Sequence, residues 1–178
     1  MQDEIALLSR AQILDKKALA QIHDMYYAAV YRYVSFRVDD PQTAEDLTSD
    51  VFVRFMYALR DHRAPSNTIR GWLYGAASLV IKEHYRQQKK MAHMPLHDGI
   101  PSKAMTPAQQ AETKSEQEQL HAAMVELTED QQKALELRYD FSMSIRETAR
   151  VMGKSEGAVK MLQSRAITAL SRILNRGA

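Results

Sequence analysis

Apolar side chains in the first half of the chain recur every three to four residues, which is the spacing of amphipathic helices. They predict one long helix over residues 14–34 and a second one after the stop and start signal Asp39-Asp40-Pro41. The period is lost over residues 60–67, where a proline indicates a loop. A third helix is predicted over residues 68–88, with an apolar side and a basic end. Three helices of this length can bury a core.

The second half of the chain begins with a change of composition. Over residues 91–105, proline, glycine and polar residues replace the periodic apolar ones and predict a flexible linker. Beyond it, Thr106 and Thr128 each have a glutamine three residues later, which is the spacing of a capping box at a helix start. The sequence has no β-rich stretch and no internal repeat. We therefore predict an all-α chain of two small helical domains, residues 1–90 and 106–178, joined by the linker.

Two short helices with a tight turn between them are predicted near the C-terminus. Ser144 and Glu147 have the spacing of a capping box, Gly153 can adopt the positive φ that ends a helix, and Ser155 is a favoured N-cap for the next one. This layout is that of a helix-turn-helix, although a helical hairpin within a core has similar spacing. The second helix divides into inward Ala158, Val159, Leu162 and Ala166 and outward Glu156, Lys160, Gln163, Ser164 and Arg165.

Composition narrows the classes of function. The 24 Lys and Arg residues barely exceed the 22 Asp and Glu residues, so net charge does not indicate a nucleic-acid partner. The absence of cysteine excludes disulfides and thiolate metal sites, and the six histidines lack ligand-like spacing. No carboxylate pair, activated nucleophile or glycine-rich phosphate loop indicates an enzyme. We expect no metal or cofactor, in a soluble cytoplasmic protein without a signal peptide or membrane-spanning run.

Three motifs together resemble bacterial RNA polymerase sigma factors of the extracytoplasmic-function (ECF) type, which belong to the sigma-70 proteins and have two conserved domains and a linker. Residues 39–55, DDPQTAEDLTSDVFVRF, are similar to the helix of this family that binds polymerase. Trp72-Leu73-Tyr74 followed by residues 83–86 is similar to the segment that opens and recognises the −10 promoter element. Residues 127–139 and the helix-turn-helix after them are similar to the −35-binding domain. The resemblance covers nearly the whole chain and implies a sigma factor, which is not an enzyme.

The resemblance implies that the second helix docks on a basic coiled coil of the largest subunits of core RNA polymerase, β and β′. Its carboxylates would supply steering and register, and its apolar side chains would supply most of the affinity. Charge alone favours a solvated acidic helix face, and the motif match reverses that preference. The residues implied in polymerase binding are Glu45, Asp46, Leu47, Asp50, Phe52 and Arg54.

Recognition and melting of the −10 element require a surface for an unstacked base and a cationic track for the separated strand. The resemblance assigns base capture to the loop at residues 60–67, although a plain connecting loop fits this segment nearly as well. Trp72 is a candidate for stacking, but its spacing favours packing in the core. The family commonly has asparagine at Leu79 and a basic residue at Ser78, so −10 base recognition is not carried over. The implied −10 residues are His62, Arg63, Asn67, Lys82, Arg86, Lys89 and Lys90.

The resemblance also implies that the second helix of the helix-turn-helix enters the major groove at the −35 element. Many family members have Ser-Arg where this chain has Met161-Leu162, so the −35 sequence is not carried over. Lys154 stands where such turns often have an apolar residue. The implied −35 residues are Lys154, Ser155, Glu156, Lys160, Gln163, Ser164 and Arg165.

The family suggests control by an anti-sigma factor. A competing hypothesis is a stand-alone helix-turn-helix regulator, which binds duplex DNA without polymerase and leaves the acidic second helix unexplained. In the free protein we expect the two domains to associate and partly hide the DNA-binding faces, because small helical domains tend to bury their apolar rims. We also expect Met25, Met56, Met124 and Met152 to fill the core. The promoter sequence and the inducing signal do not follow from these patterns.

Overall fold

The computed structural model describes residues 2–63, 68–92 and 119–175, which form helices and turns without a strand. The all-α prediction is confirmed. The N-terminal bundle consists of α1 (Gln2–Gln12), α2 (Lys16–Ser35), α3 (Pro41–Arg60) and α4 (Ile69–Ala92). The C-terminal bundle consists of α5 (residues 119–125), α6 (Glu129–Tyr139), α7 (Ile145–Met152) and α8 (Glu156–Leu174). The predicted linker lies outside the described residues apart from its first two, which continue α4, and the predicted helix start at Thr106 lies outside them as well.

The boundary between α1 and α2 falls inside the segment that the apolar pattern assigned to one helix. Leu14 has a positive φ of 59°. The Asp15 carboxylate then caps α2 by accepting hydrogen bonds from the backbone N–H groups of Lys17 and Ala18. Arg10 donates to the same carboxylate, and this hydrogen bond lowers the pKa of Asp15. The helix therefore begins at Lys16 instead of Leu14, and α1 was not predicted.

Local capping signals decide where the other helices begin. The Asp40 carboxylate accepts from the backbone N–H of Thr43 at 2.8 Å, and Pro41 occupies the first turn of α3. The two predicted capping boxes that lie within the described residues both form, one at Thr128 before α6 and one at Ser144 before α7. These predictions are confirmed.

The helix-turn-helix is formed by α7 and α8. Gly153 ends α7 in the left-handed region with φ 64°, and the Ser155 hydroxyl accepts from the backbone N–H of Ala158 at the start of α8. Val159 and Ala166 on α8 are fully buried. In a helical hairpin within a core, the second helix would be covered on all sides. Because α8 has a solvent-facing side, the structure favours the helix-turn-helix.

The core of the N-terminal bundle lies between α2, α3 and α4. Trp72 packs on its edge, with its ring 5.2 Å from that of Phe55, which agrees with core packing and not with a free stacking surface. Two of the four methionines expected in the core, Met25 and Met56, are 53% and 51% exposed, so that expectation was wrong for them. The largest fully buried side chains of this bundle are Ile22, Val30, Val34, Val51, Phe55, Leu59, Ile69, Leu73 and Val80.

Side chains of the turn between α6 and α7 pack into the core of the N-terminal bundle. Phe141 is 2% exposed and lies between Tyr33 of α2 and Tyr74 of α4, with ring centroids 5.8 and 5.6 Å away. Met143 beside it is fully buried. On the other side of the contact, Phe36 packs against His121 of α5 at 4.8 Å. The core of the N-terminal bundle therefore continues into the C-terminal bundle through Phe141 and Met143, and a second, smaller cluster of buried residues lies within the C-terminal bundle.

Three arginines of the N-terminal bundle bind the segment around Phe141. Arg37 forms an ion pair with Glu136, which is 4% exposed. Arg32 donates to the backbone carbonyl of Asp140 at 3.3 Å, and Arg70 donates to that of Ser142 at 2.8 Å. These bonds satisfy polar groups at the rim of an apolar contact, as buried polar groups require. The expected association of the two halves is present in the structure.

Candidate protein-binding and nucleic-acid-binding surfaces

The outward side of α3 is acidic in its first half and apolar in its second half. Glu45 and Asp46 are exposed in its first half. About two to three turns later on the same side, Val53, Met56 and Tyr57 are 46%, 51% and 53% exposed. We call these five residues the α3 stripe, with an acidic half and an apolar half. Exposed apolar side chains grouped on one helix face are typical of a protein-binding surface.

Two of the residues predicted for polymerase binding do not lie on the α3 stripe. Phe52 is 8% exposed and packs against the rings of His23 and Tyr27, at centroid distances of 4.9 and 6.1 Å. Leu47 is half-buried against the core. The apolar contacts available to a partner are therefore Val53 and its neighbours, which the motif did not single out. Helical spacing from the acidic positions would have found them.

Arg54 joins α3 to α4. Its guanidinium donates to Asp50 on the same helix at 3.1 Å and to Glu83 on α4 at 2.7 Å. These bonds lower the pKa of Glu83 and raise that of Arg54, and Arg54 is half-buried. Two more of the predicted docking residues, Arg54 and Asp50, are thus engaged within the bundle, and Glu45 and Asp46 carry the exposed negative charge.

The four cations predicted for the −10 strand lie together on the second half of α4. With Ile81 and Tyr85 they line one open groove. Tyr85 is fixed there because its hydroxyl donates to the backbone carbonyl of Arg37. Leu79, at the position where the family has asparagine, is 50% exposed nearby on the same helix. The groove combines an aromatic ring with a cationic wall made by Lys82, Arg86, Lys89 and Lys90.

The loop after α3 places its predicted residues at the surface. His62 has a positive φ of 55° and is exposed. The Arg63 guanidinium donates to Asp61 at 2.7 Å, and this bond, followed by that from Arg60, lowers the pKa of Asp61. Asn67 lies outside the described residues. The structure therefore places two of the three loop residues and leaves the base-capture role a prediction.

The solvent face of α8 carries part of the predicted −35 set. Lys160, Ser164 and Arg165 are exposed, and Met161 between them is 54% exposed. Gln163 is half-buried at the edge of this face, and its amide nitrogen donates to the Tyr139 hydroxyl at 3.0 Å. The cations of the face therefore surround an apolar side chain that the sequence did not single out.

The remaining −35 candidates make contacts within the C-terminal bundle. The Ser155 hydroxyl caps α8. Glu156 lies 3.4 Å from the guanidinium of Arg146 on α7. Lys154, in place of the apolar residue common in such turns, forms a 2.9 Å ion pair with Asp130 of α6. Asp130 on α6 thus offsets the positive charge of Lys154 in the turn.

The chemistry of these surfaces is that of binding. Within residues 4–63, 68–90 and 119–175, no group of three His, Asp or Glu side chains is placed to hold a metal ion. Among the described helices, none is long and apolar enough to cross a membrane. Cationic faces on α4 and α8 suit phosphates, and the α3 stripe suits a protein.

Two family models match the chain. Sigma-70 region 2 matches residues 22–91, which contain most of α2, all of α3 and nearly all of α4. Sigma-70, region 4 matches residues 117–170, which contain α5, α6, α7 and most of α8. Together the matched residues cover more than two thirds of the chain. The α3 stripe, the groove on α4 and the solvent face of α8 all lie within the matched regions.

Relatives of known function are similar over nearly the whole chain. The ECF RNA polymerase sigma factor BldN of Streptomyces coelicolor is 33% identical over 176 residues, which are 94% of this chain and 64% of that protein. The chain thus spans less than two thirds of BldN. The ECF RNA polymerase sigma factor SigM of Bacillus subtilis is 28% identical over 162 residues, covering 88% of this chain and 95% of SigM.

Solved structures have the same fold. CnrH in complex with the cytosolic domain of CnrY superimposes with a TM-score of 0.68 at 22% identity, over 98% of this chain and 99% of that one. The sigma factor RpoE in complex with the anti-sigma factor NepR, from Bartonella quintana, superimposes with a TM-score of 0.62 at 22% identity, over 89% and 98%.

Proposed function

This chain belongs to the sigma-70 family of RNA polymerase sigma factors, within its extracytoplasmic-function group, and on this premise we propose that it is a dissociable sigma factor. It binds core RNA polymerase and directs initiation at promoters with −10 and −35 elements. The observation that carries the proposal is the presence in one chain of two exposed cationic surfaces, on α4 and α8, and of the α3 stripe. A stand-alone regulator needs the α8 surface alone.

The α3 stripe is the docking surface for the β and β′ subunits. Glu45 and Asp46 steer the encounter with a basic partner surface and fix its register, because charged contacts act mainly on rate and specificity. Val53, Met56 and Tyr57 supply the apolar contacts that carry most of the affinity. Leu47, Asp50, Phe52 and Arg54 act indirectly, by holding α3 against α2 and α4.

The two DNA-binding surfaces have separate tasks. The groove on α4 follows the separated strand of the −10 element through Lys82, Arg86, Lys89 and Lys90, with His62, Arg63 and Asn67 as the base-capture loop. The face of α8 enters the major groove of the −35 element. Lys160 and Arg165 contact phosphates there, Ser164 lies near base edges, and Lys154, Ser155, Glu156 and Gln163 hold the helix-turn-helix in shape.

The domain boundaries proposed for this function are residues 1–90 for polymerase and −10 binding, 91–105 for the linker and 106–178 for −35 binding. The protein acts in the cytoplasm, where polymerase transcribes, and performs no chemistry of its own, because catalysis belongs to polymerase. Control by an anti-sigma factor is supported by RpoE, whose solved complex with NepR has the same fold.

The proposal is tested by transcription in vitro with purified core polymerase and fragmented genomic DNA from the source organism, with and without the protein. New start sites that share two upstream motifs are the expected result. Binding of particular duplexes by the protein alone, without any new start site, would favour the stand-alone regulator.

A matched pair of variants isolates docking. Val53→Asp places a charge in the apolar half of the α3 stripe, so we expect loss of polymerase binding. Val125→Asp makes the same change on α5 at a position that is 65% exposed, so we expect no loss. Both variants should bind −35 duplex as the wild type does. Equal polymerase binding by the two variants would show that the α3 stripe is not the docking surface.

A further inference from the structure

The centre of the exposed face of α8 is an apolar side chain. At about 100° per residue, Met161 points about 160° away from Val159 and about 140° away from Ala166, the two fully buried residues of the helix. Met161 is 54% exposed, although it belongs to a helix whose opposite side is packed. Lys160 and Arg165 lie on either side of it. In a complex with DNA, this geometry presents Met161 to the floor of the groove and the cations to its walls.

Apart from the flanking cations, the polar side chains around Met161 that could recognise bases by hydrogen bonds are engaged or short. The Gln163 amide, which would otherwise suit adenine, is held aside by Tyr139 at 3.0 Å. The Thr168 hydroxyl donates to the backbone carbonyl of Ser164 at 3.0 Å. Gly157, one turn before Met161, has no side chain. Tyr139 thus acts as a positioning residue that leaves the centre of the face to Met161.

We propose that Met161 contacts the 5-methyl group of a thymine in the −35 element and makes this chain select thymine at one position. The inference rests on the proposed function, because it assumes that α8 enters a major groove. Thymine is the base that presents a methyl group there. Methionine is unbranched and adaptable, so its thioether can reach a methyl group without a fixed geometry.

The same contact discriminates against cytosine. Cytosine presents an amino donor at this edge instead of a carbonyl and lacks the methyl group. An apolar thioether covering that donor would remove it from water without a hydrogen bond, which is unfavourable. The selection therefore has an attractive part for thymine and a repulsive part for cytosine.

The test replaces each −35 thymine in turn with deoxyuridine, which removes the methyl group and leaves base pairing intact. Full-length protein with core polymerase is titrated against these promoters. The wild type should lose about fourfold in affinity at one position, the factor that corresponds to one buried methyl-sized group. Met161→Ala should bind thymine and uracil there equally, and Met161→Leu should restore the preference for thymine.

The control is Ile167→Ala, which truncates another exposed apolar residue of α8, 45% exposed and about 120° round the helix from Met161. It should keep the preference of the wild type for thymine. A Met161→Ala protein that discriminates thymine from uracil as the wild type does, or a wild type indifferent to uracil at every position, overturns the inference. Circular dichroism of the variants shows whether the helices are retained.

Failure of the proposed function has a different signature. If polymerase yields no new start sites, the same deoxyuridine series is run on the duplexes that the protein binds alone, and Met161 is judged there by the same comparison. A protein that binds no duplex overturns both ideas.

Discussion

Phe141 is an aromatic residue of the C-terminal bundle that packs into the core of the N-terminal bundle. Its ring is 2% exposed and fills the space between Tyr33 and Tyr74. Phe141→Ala should lower the free energy of unfolding by about 3–5 kcal/mol, the range for truncating a buried phenylalanine. Urea denaturation followed by circular dichroism measures the loss. The control is Tyr139→Ala, two residues away and 59% exposed, which should change stability by less than about 0.5 kcal/mol.

Asp140, next to Phe141, makes stability depend on pH in a direction opposite to that of Asp15, Asp40 and Asp61, whose pKa values are lowered. Burial raises the pKa of Asp140, and the nearby Arg32 and Arg37 only partly offset this effect. A carboxyl whose pKa is raised in the folded state stabilises that state fully below its unfolded pKa, and this contribution is lost as the pH rises through the folded value. Wild type should therefore lose stability relative to Asp140→Asn as the pH rises above the ordinary aspartate pKa of about 4.

The measurement is the difference between the unfolding free energies of wild type and Asp140→Asn at several pH values. The difference is needed because hydrogen bonds lower the pKa of other carboxyls, such as Asp15, Asp40 and Asp61, whose titration destabilises the fold as the pH falls. Parallel curves for the two proteins would contradict a raised pKa at Asp140.

At the scale of elements, α4 contains two glycines with different surroundings. A Cβ atom at Gly75 would meet nothing within 4 Å, whereas one at Gly71 would lie 2.8 Å from the Thr68 hydroxyl and 3.3 Å from a methyl group of Val151 on α7. Gly75→Ala should raise stability by about 0.5–1 kcal/mol, because alanine favours a helix. Gly71→Ala should give no such gain and should lower stability, because the Thr68 hydroxyl and the Val151 side chain of α7 must both move away from the new methyl group.

Thermal and urea denaturation of the two alanine variants compares them directly. The same substitution in the same helix cancels the contribution of helix propensity, so the difference between them reports the close contacts of Gly71 with Thr68 and with Val151 of α7. Equal stabilisation by both variants would mean that the contacts of Gly71 with Thr68 and Val151 yield without cost.

How far the sequence predicts an element depends on how local its determinants are. The caps at Thr128 and Ser144 and the turn at Gly153 are decided within a few residues, and each was predicted. The break before α2 was missed because Leu14 is apolar and continues the helical period although its φ is positive.

The composition of the candidate sites depends on less local determinants. Side chains of neighbouring residues on a helix point about 100° apart. The motif match assigned docking to Phe52, which lies in the core, whereas its neighbour Val53 lies on the surface. Which of the two faces solvent depends on where α2 packs, and a motif match does not contain that information. Gln163 likewise lies at an outward position in the pattern, but Tyr139 of another helix holds it.

For the whole molecule, the expectation that association hides the DNA-binding faces holds only in part. The bundles do pack together, yet the solvent face of α8 stays exposed. What the packed arrangement fixes is the spacing between α4 and α8. The −10 and −35 elements lie about 25 base pairs apart by their names, which is about 85 Å of duplex at about 3.4 Å per base pair. A chain whose α4 touches α7 cannot reach both elements at once, so initiation requires the bundles to separate.

A reversible cross-link tests this requirement. The chain has no cysteine, so the double variant Gly71→Cys with Val151→Cys carries one defined pair. A Cβ at Gly71 lies 3.3 Å from the Val151 Cγ2 atom, which brings the two Cβ atoms near the separation of about 3.5–4.5 Å that a disulfide needs. Each single cysteine variant serves as a control.

The oxidised double variant should bind −35 duplex through the exposed face of α8 but initiate no transcription with core polymerase. Reduction should restore initiation, because the bundles can then part and place α4 and α8 on their separate elements. The single variants should initiate under both conditions. Full initiation by the oxidised protein would show that both elements are engaged without separation of α4 from α7, and the packed arrangement would then be the active one.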